Sequence, residues 1–366
     1  MAVRAVAAVD QRTTGSTVLI VGEDGRVLAR AYSEFTQHFP RPGWVEHDAS
    51  EIWSVTRDVL ARALADGEAA GARVEAVGIT NQRETVVLWD RETLEPVHRA
   101  IVWQDRRTTP LCRRLKEAGH EPEVRRRTGL VLDPYFSGTK LTWLLEEHPH
   151  LRVRAEAGEL ACGTIDTWLA ARLTGGAVHA TDPTNASRTL LYDLHERAWC
   201  DPLLDLFGVP AALLPEVRRS SGSFGTTDGG AAGLEVPILG AGGDPDVEEH
   251  AQLWFRAGLA KNTYGTGAFL LLHTGQDAVA SEHGLLTTAA VAEDGGHAYA
   301  LEGSIFVAGA AIQWLRDAVG VLEHAEESEA LAASLESNDG VYLVPAFVGL
   351  GAPHWDPDAR GLLIGL

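Results

Sequence analysis

The chain has 366 residues, of which 45% are hydrophobic and 22% are charged, and its mean hydropathy is −0.06. This composition is typical of a globular protein and excludes a disordered one, and the length predicts two domains rather than one compact core. Lysine and arginine total 31 against 51 aspartate and glutamate residues, a net charge of −20, which disfavours nucleic acid and anionic membranes as partners.

The three cysteines, Cys112, Cys162 and Cys200, show no metal-ligand spacing, and pairing two of them would leave one thiol over. Reduced thiols in a cytoplasmic protein are the simplest interpretation. The apolar N-terminal stretch runs directly into Asp10, so we interpret it as a buried strand and not as a signal peptide. No stretch reaches the roughly eighteen apolar residues that a membrane span needs, and we expect no such span.

The N-terminal pattern predicts three strands joined by turns, at residues 5–9, 17–21 and 27–32. A helix is predicted to follow, with Asp48 as its N-cap and Glu51 completing a capping box. Its apolar residues, among them Ile52 and Val59, recur at helical spacing and predict one buried face.

Four segments carry side chains that suit a small polyhydroxylated substrate. Arg83 and Glu84 follow an apolar strand predicted at 74–80, and Trp103, Tyr135 and Asp244 lie in three later segments. An arginine and a glutamate can serve adjacent hydroxyls as donor and acceptor, while an aromatic face covers the carbon backbone. A carboxylate aimed at one hydroxyl can accept its proton. For Arg83 and Glu84 alone, a surface ion pair is the simpler alternative.

Two threonine- and glycine-rich turns suit phosphate. The first, residues 10–16, contains Thr13 and Thr14, and the second, predicted at 261–267, contains Gly265 and Thr266. Such turns present backbone N–H groups and hydroxyls to phosphate oxygens, although similar sequences occur in ordinary hairpins. Because one such turn lies near the start of each half of the chain, we predict two related domains that close on a nucleotide.

A third segment completes the predicted nucleotide side. The run from Ser304 onward has helical period, with Gly309 and Gln313 four residues apart and therefore on one face. The small residue Gly309 permits close approach, either of a nucleotide or of a neighbouring packed element, and the pattern leaves both readings open.

These motifs resemble those of the FGGY carbohydrate kinases, and within that family those of the members that phosphorylate glycerol. The resemblance covers nearly all of the chain, and its main segments are residues 41–48, 78–85, 128–140, 181–189 and 260–267. It implies an α/β, actin/hexokinase/Hsp70-like (ribonuclease H-like) two-domain kinase fold, divided into residues 1–250 and 251–366. It also implies ATP-dependent phosphorylation of glycerol to sn-glycerol 3-phosphate, with ATP and Mg²⁺ as cofactors.

The resemblance assigns a role to each matching position. Asp244 matches the general base, and Asp10 matches a carboxylate that holds magnesium through water. The residues that match glycerol contacts are Arg83, Glu84, Trp103, Tyr135, Asp244 and Phe269. Those that match nucleotide contacts are Thr13, Thr14, Gly265, Thr266, Gly309 and Gln313.

The sequence departs from the family pattern at four places. Arg12 stands where the family has a glycine, Thr17 where it has an arginine, and Pro245 where it has an amide side chain. The last residues coincide with the start of the family's second signature, so we expect an incomplete second domain. A non-catalytic truncated remnant with residual polyol binding is therefore the alternative function, and the sequence leaves a homo-oligomer open.

Overall fold

The structure, a computed structural model, describes residues 2–243, 256–292 and 294–366. The strands of this part of the chain are β1 (Val3–Gln11), β2 (Gly15–Gly22), β3 (Val27–Glu34), β4 (Glu46–His47), β5 (Ala72–Asn81), β6 (Val87–Asp90), β7 (Ala100–Ile101), β8 (Leu160–Gly163), β9 (Ala180–Thr181), β10 (Tyr192–Asp193), β11 (Ala198–Trp199), β12 (Glu216–Val217), β13 (Ile238–Gly243), β14 (Ala260–Tyr264), β15 (Ala268–Gly275), β16 (Leu286–Val291), β17 (His297–Ile305), β18 (Tyr342–Val344) and β19 (Leu362–Ile364).

The helices alternate with these strands. They are α1 (Ala49–Ala69), α2 (Thr109–Glu117), α3 (Glu121–Thr128), α4 (Ser137–Glu147), α5 (Pro149–Glu156), α6 (Ile165–Leu173), α7 (Pro183–Ala186), α8 (Asp201–Phe207), α9 (Gly229–Ala232), α10 (Gly309–Trp314) and α11 (Glu327–Ala333), with a 3₁₀ turn at Ala211–Leu213 and a π-helical turn at Leu315–Val319. Within the described residues, no helix is long and apolar enough to cross a lipid bilayer.

A five-stranded mixed sheet organises the first half of the chain, with the strand order β13-β5-β1-β2-β3. The β1–β2–β3 meander is antiparallel, whereas β5 and β13 run parallel to β1. All three N-terminal strands predicted from the sequence are therefore present. Because β5 and β13 are parallel neighbours, their carboxyl ends lie side by side, at Asn81 and Gly243.

Helix α1 begins where the sequence predicts. The Asp48 carboxylate accepts hydrogen bonds from the backbone N–H groups of Ser50 and Glu51, as an N-cap does. The Glu51 carboxylate accepts from the backbone N–H and the hydroxyl of Thr36, so the partner of the predicted capping-box glutamate is Thr36 and not the backbone of Asp48. The buried face of the helix, which includes Ile52 and Val59, packs against the sheet in one hydrophobic core.

The second half of the chain forms a four-stranded antiparallel sheet of order β14-β15-β17-β16. Two predictions need correction here. Residues 261–264 belong to strand β14, so the turn is confined to residues 265–267. The helix predicted from Ser304 begins only at Gly309, because Ser304 and Ile305 pair with Phe269 and Ala268 as the end of strand β17. Sheet pairing here overrides a periodic pattern of small and apolar residues.

The two halves meet closely where α3 ends. Gly129 has a left-handed φ of 73° and ends the helix, as glycine commonly does. Its carbonyl accepts from Thr287 N at 3.0 Å, and a Cβ at Gly129 would lie 2.3 Å from the Thr287 carbonyl oxygen. Only glycine lets strand β16 approach the first half of the chain this closely.

Candidate active site

A cavity of about 290 Å³ lies between the two predicted phosphate turns. Most of the side chains singled out from the sequence meet around it, although they come from segments far apart in the chain. The predicted residues that line it are Thr13, Thr14, Arg83, Glu84, Trp103, Tyr135, Gly265, Thr266, Phe269 and Gln313. Arg12 and Gln82 line it as well.

The Arg83–Glu84 pair is buried at one end of this cavity, and its side chains are 2% and 3% exposed. The pair follows directly on the carboxyl end of β5, so the sheet fixes its position. Glu84 has a φ of 62°, a left-handed conformation uncommon outside glycine that is often associated with functional sites. The interpretation of these residues as a solvated surface ion pair is therefore wrong.

Two charged residues that the sequence analysis did not assign to the site contact this pair. Arg188 Nε donates to Glu84 Oε1 at 2.6 Å, and Arg83 Nη2 donates to Glu302 Oε2 at 2.6 Å. Burial favours the neutral acid in Glu302, but Arg188 and Arg83 outweigh it and lower its pKa to about 2. Arg188 lies in a segment that carries a family motif and Glu302 does not, and no local spacing marks either residue as a partner of Arg83 and Glu84.

Aromatic rings form the apolar wall of the cavity. The ring of Trp103 lies 5.8 Å from that of Tyr135 and 6.0 Å from that of Phe269, both edge to face, and Phe306 packs behind Tyr135 at 5.2 Å. Burial raises the pKa of the Tyr135 hydroxyl, which therefore stays protonated and able to donate. This wall can cover a short carbon chain while the charged pair serves its hydroxyls.

Lys140 supports the segment that carries Tyr135. Its buried Nζ donates to the carbonyl oxygens of Pro134 and Tyr135, each at 2.6 Å, and to that of Phe136 at 3.2 Å. Burial lowers the pKa of Lys140 to about 7. Lys140 therefore has a structural role in this fold, because its ammonium group donates to three backbone carbonyl groups of one segment.

The first phosphate turn connects β1 to β2. Arg12 N donates to the Gly15 carbonyl at 2.9 Å and closes the turn, and Trp103 Nε1 donates to Thr13 Oγ1 at 2.9 Å. This second hydrogen bond joins the aromatic wall of the cavity to the first phosphate turn. Thr17, the other departure near this turn, lies on β2 opposite Asp10.

The second phosphate turn is the tight turn between β14 and β15, closed by Gly265 N donating to the Gly267 carbonyl at 2.8 Å. Gly309 packs on this turn, and a Cβ there would lie 2.6 Å from the Gly265 carbonyl oxygen. Gly309 is not among the described residues that line the cavity. Gly309 therefore packs on the turn, and its contact with a nucleotide stays a prediction.

Asp10 lies at the end of β1, immediately before the first turn. Its carboxylate is mostly buried, and Oδ2 accepts from Arg12 Nε at 2.6 Å. Oxygen donors of this kind suit Mg²⁺, which proteins hold through few carboxylates and through water. The position of Asp10 fits such a role, but Arg12 competes with a metal for one of the carboxylate oxygens.

Asp244 and Pro245 lie outside the described residues, so the predicted base and the neighbouring departure have no structural account here. The described chain before them ends at Gly243, which pairs with Asn81, two residues before Arg83. Gly243 N also donates to Thr184 Oγ1 at 2.8 Å.

Comparison with known proteins identifies the family. Residues 5–248 match the N-terminal domain of the FGGY family of carbohydrate kinases, and residues 260–366 match its C-terminal domain. The chain is 58% identical to a glycerol kinase of Methylobacterium nodulans over 363 residues, and 55% identical to one of Alcanivorax borkumensis over 361 residues. Each alignment covers 99% of this chain and 72% of the relative.

Solved structures agree with the sequence relatives. The Plasmodium falciparum glycerol kinase with ADP superposes with a TM-score of 0.87 at 34% identity, over 100% of this chain and 73% of that one. A xylulose kinase from Lactobacillus acidophilus has a TM-score of 0.84 at 20% identity, over 99% of this chain and 72% of that one, a likeness that concerns the fold alone. The predicted two-domain α/β kinase fold is confirmed. The chain belongs to the FGGY family of carbohydrate kinases and, within it, to the glycerol kinases.

Proposed function

We propose that this chain transfers the γ-phosphoryl group of ATP to glycerol and releases sn-glycerol 3-phosphate and ADP. The observation that carries the proposal is the single cavity in which Arg83, Glu84, Trp103 and Tyr135 face the two threonine- and glycine-rich turns. In the proposed division, residues 1–250 supply the glycerol side and the first turn, and residues 251–366 supply the second turn.

In this proposal glycerol lies along the aromatic wall, with its hydroxyls toward the charged pair. The Arg83 guanidinium donates to hydroxyl oxygens, and the Glu84 carboxylate accepts from a hydroxyl. Trp103 and Phe269 cover the carbon chain. A buried, preorganised polar pair of this kind discriminates strongly against substrates that lack the matching hydroxyl, because its polar groups would then be left unpaired.

The phosphates of ATP would lie between the turn that contains Thr13 and Thr14 and the turn that contains Gly265 and Thr266, with Gln313 at the edge. Phosphoryl transfer depends mainly on in-line positioning and on compensation of charge. Asp10 would hold Mg²⁺ through water, and the bound ion would neutralise charge on the phosphates. Asp244 is proposed as the base that receives the proton of the attacking hydroxyl.

A coupled assay of ADP release with glycerol and MgATP tests the proposal. We expect turnover on the order of ten per second, as for enzymes generally. Asp244→Asn should lower kcat by about 10²- to 10⁴-fold while glycerol binding, measured by calorimetry, remains. Asp277→Asn, an exposed aspartate on the second half of the chain, is the matched control and should leave kcat unchanged.

The alternative function, a non-catalytic remnant, is not favoured by relatives that are more than 50% identical over nearly the whole chain. It would replace the proposal if the purified protein released no ADP. Retained turnover in Asp244→Asn would instead remove only Asp244 from its proposed role. The cytoplasmic location and the homo-oligomer considered from the sequence stay predictions.

A further inference from the structure

A closed ring of four charged side chains lies beneath the polyol end of the cavity. Arg188 Nε donates to Glu84 Oε1 at 2.6 Å, and Arg188 Nη2 donates to Glu302 Oε1 at 2.8 Å. Glu302 Oε2 accepts from Arg83 Nη2 at 2.6 Å, and Arg83 Nε lies 3.8 Å from Glu84 Oε1. Positive and negative groups alternate around the ring, and its formal charge is zero.

The two ring members that do not line the cavity are fully withdrawn from solvent. The side chains of Arg188 and Glu302 are both 0% exposed. Buried charges are costly unless each one is paired and hydrogen-bonded, so removal of one member leaves its partners as uncompensated charges. Because the arginine fork is planar and rigid, Arg188 fixes the angle between the two carboxylates as well as their distance.

Further contacts orient Arg188, Glu302 and the backbone of Glu84. Ser304 Oγ donates to Glu302 Oε1 at 2.6 Å. The Arg188 guanidinium lies over the ring of Tyr135 at 5.4 Å, and Ser137 Oγ donates to the Glu84 carbonyl at 2.9 Å. Arg188 therefore contacts both the acidic and the aromatic side of the polyol subsite.

The ring also joins the two halves of the chain. Arg83, Glu84 and Arg188 belong to the first half, whereas Glu302 is on strand β17 of the second sheet. Strand β17 thus contributes a buried carboxylate to a subsite whose cavity-lining charges, Arg83 and Glu84, belong to the other domain.

We propose that Arg188 and Glu302 are positioning residues for glycerol, which hold Arg83 and Glu84 in the geometry that binds its hydroxyls. This inference rests on the proposed function. It predicts that the glycerol affinity of the enzyme depends on Glu302 even when no nucleotide is present. If the ring served only to stabilise the fold, substitutions in it would lower Tm and would change the KM values for glycerol and MgATP equally.

The test compares Glu302→Gln and Arg188→Lys in the full chain. Glu302→Gln keeps the side-chain shape but removes the charge, and Arg188→Lys keeps the charge but removes the fork. We expect the Kd for glycerol, measured by calorimetry without nucleotide, to rise about tenfold or more, as for loss of a charged hydrogen bond. The KM for MgATP should stay within about twofold, since the phosphate turns keep their own contacts.

Glu46→Gln is the matched control. Glu46 accepts from the buried Arg107 Nη2 at 2.8 Å in a separate buried charge cluster, and it does not line the cavity. This variant should lower Tm without changing the glycerol Kd. Ser304→Ala is the milder second variant: it removes one hydrogen bond to Glu302 and should raise the glycerol Kd by about twofold to fivefold.

If Glu302→Gln fails to fold, Ser304→Ala decides the question. Unchanged glycerol Kd in the folded variants would overturn the inference while the proposed function stands. Equal increases in the KM values for glycerol and MgATP would overturn it as well. A wild-type protein that neither binds glycerol nor releases ADP would overturn both the inference and the proposed function.

Discussion

The indole Nε1 of Trp103 donates to Thr13 Oγ1 at 2.9 Å, so the wall of the polyol subsite is bonded to the first phosphate turn. The two residues are 90 positions apart in the chain and belong to what the sequence presents as two separate motifs. Both are buried, and a hydrogen bond in such a place orders both partners.

We expect this bond to couple the two substrate subsites. Trp103→Phe keeps an aromatic face but removes the donor, and Thr13→Val keeps the shape but removes the acceptor. In a double-mutant cycle on kcat/KM for MgATP, the coupling energy should be about 0.5–1.5 kcal/mol, the usual net contribution of one hydrogen bond. Strictly additive effects of the two substitutions would contradict this coupling.

We expect removal of the Arg12 side chain to strengthen Mg²⁺ binding at Asp10. The Arg12–Asp10 ion pair, 2.6 Å between Nε and Oδ2, occupies one oxygen of the carboxylate proposed to hold Mg²⁺. We expect Arg12→Gly to lower the Mg²⁺ concentration for half-maximal velocity by up to about fivefold, a range that partly exposed ion pairs typically span.

The control is Arg26→Gly, because Arg26 forms the same kind of pair with Asp24, also 2.6 Å, in the β2–β3 turn. That substitution should not change the Mg²⁺ dependence. If Arg12→Gly raises the KM for MgATP, then Arg12 contacts phosphate, and the expectation that its removal strengthens Mg²⁺ binding is wrong.

Gly309 is expected to support the second phosphate turn. A Cβ there would lie 2.6 Å from the Gly265 carbonyl oxygen, so Gly309→Ala should displace the turn and raise the KM for MgATP by about fivefold or more. The Kd for glycerol should not change. Gly229→Ala, at the first position of α9 with no atom near its Cβ, is the matched control and should leave both constants as they are.

Lys140 should make stability depend on pH. Its pKa is about 7 in the folded chain, lowered by burial from an ordinary value of 10.5. Between these values the unfolded chain binds more protons than the folded one, so the stability contributed by Lys140 rises as the pH increases from about 7 to about 10.5 and is lost as the pH falls through 7.

Chemical denaturation of the wild type and of Lys140→Met across this range measures the effect. The difference in the free energy of unfolding should shift in favour of the wild type as the pH rises. A difference that is independent of pH would mean that Lys140 keeps its proton throughout, held by its three carbonyl acceptors.

The sequence by itself determined the local elements and most of the site. The N-cap at Asp48 and the N-terminal meander follow from short patterns, because capping and strand alternation depend on neighbouring residues. The side-chain chemistry of Arg83, Trp103 and Tyr135 made them candidates for a polyol site. The resemblance to a kinase family then predicted that these distant segments share one cavity, and the structure brings them there.

Only the tertiary structure decided the features that depend on contacts between distant segments. Arg188 and Glu302 meet across 114 positions, and no local periodicity encodes such a pair. Strand β17 continues through Ile305 because it pairs with β15, although the sequence of that region has helical period. Gly309 supports the Gly265 turn because the two elements pack together. A local pattern does not specify such packing and therefore cannot determine the role of a small residue.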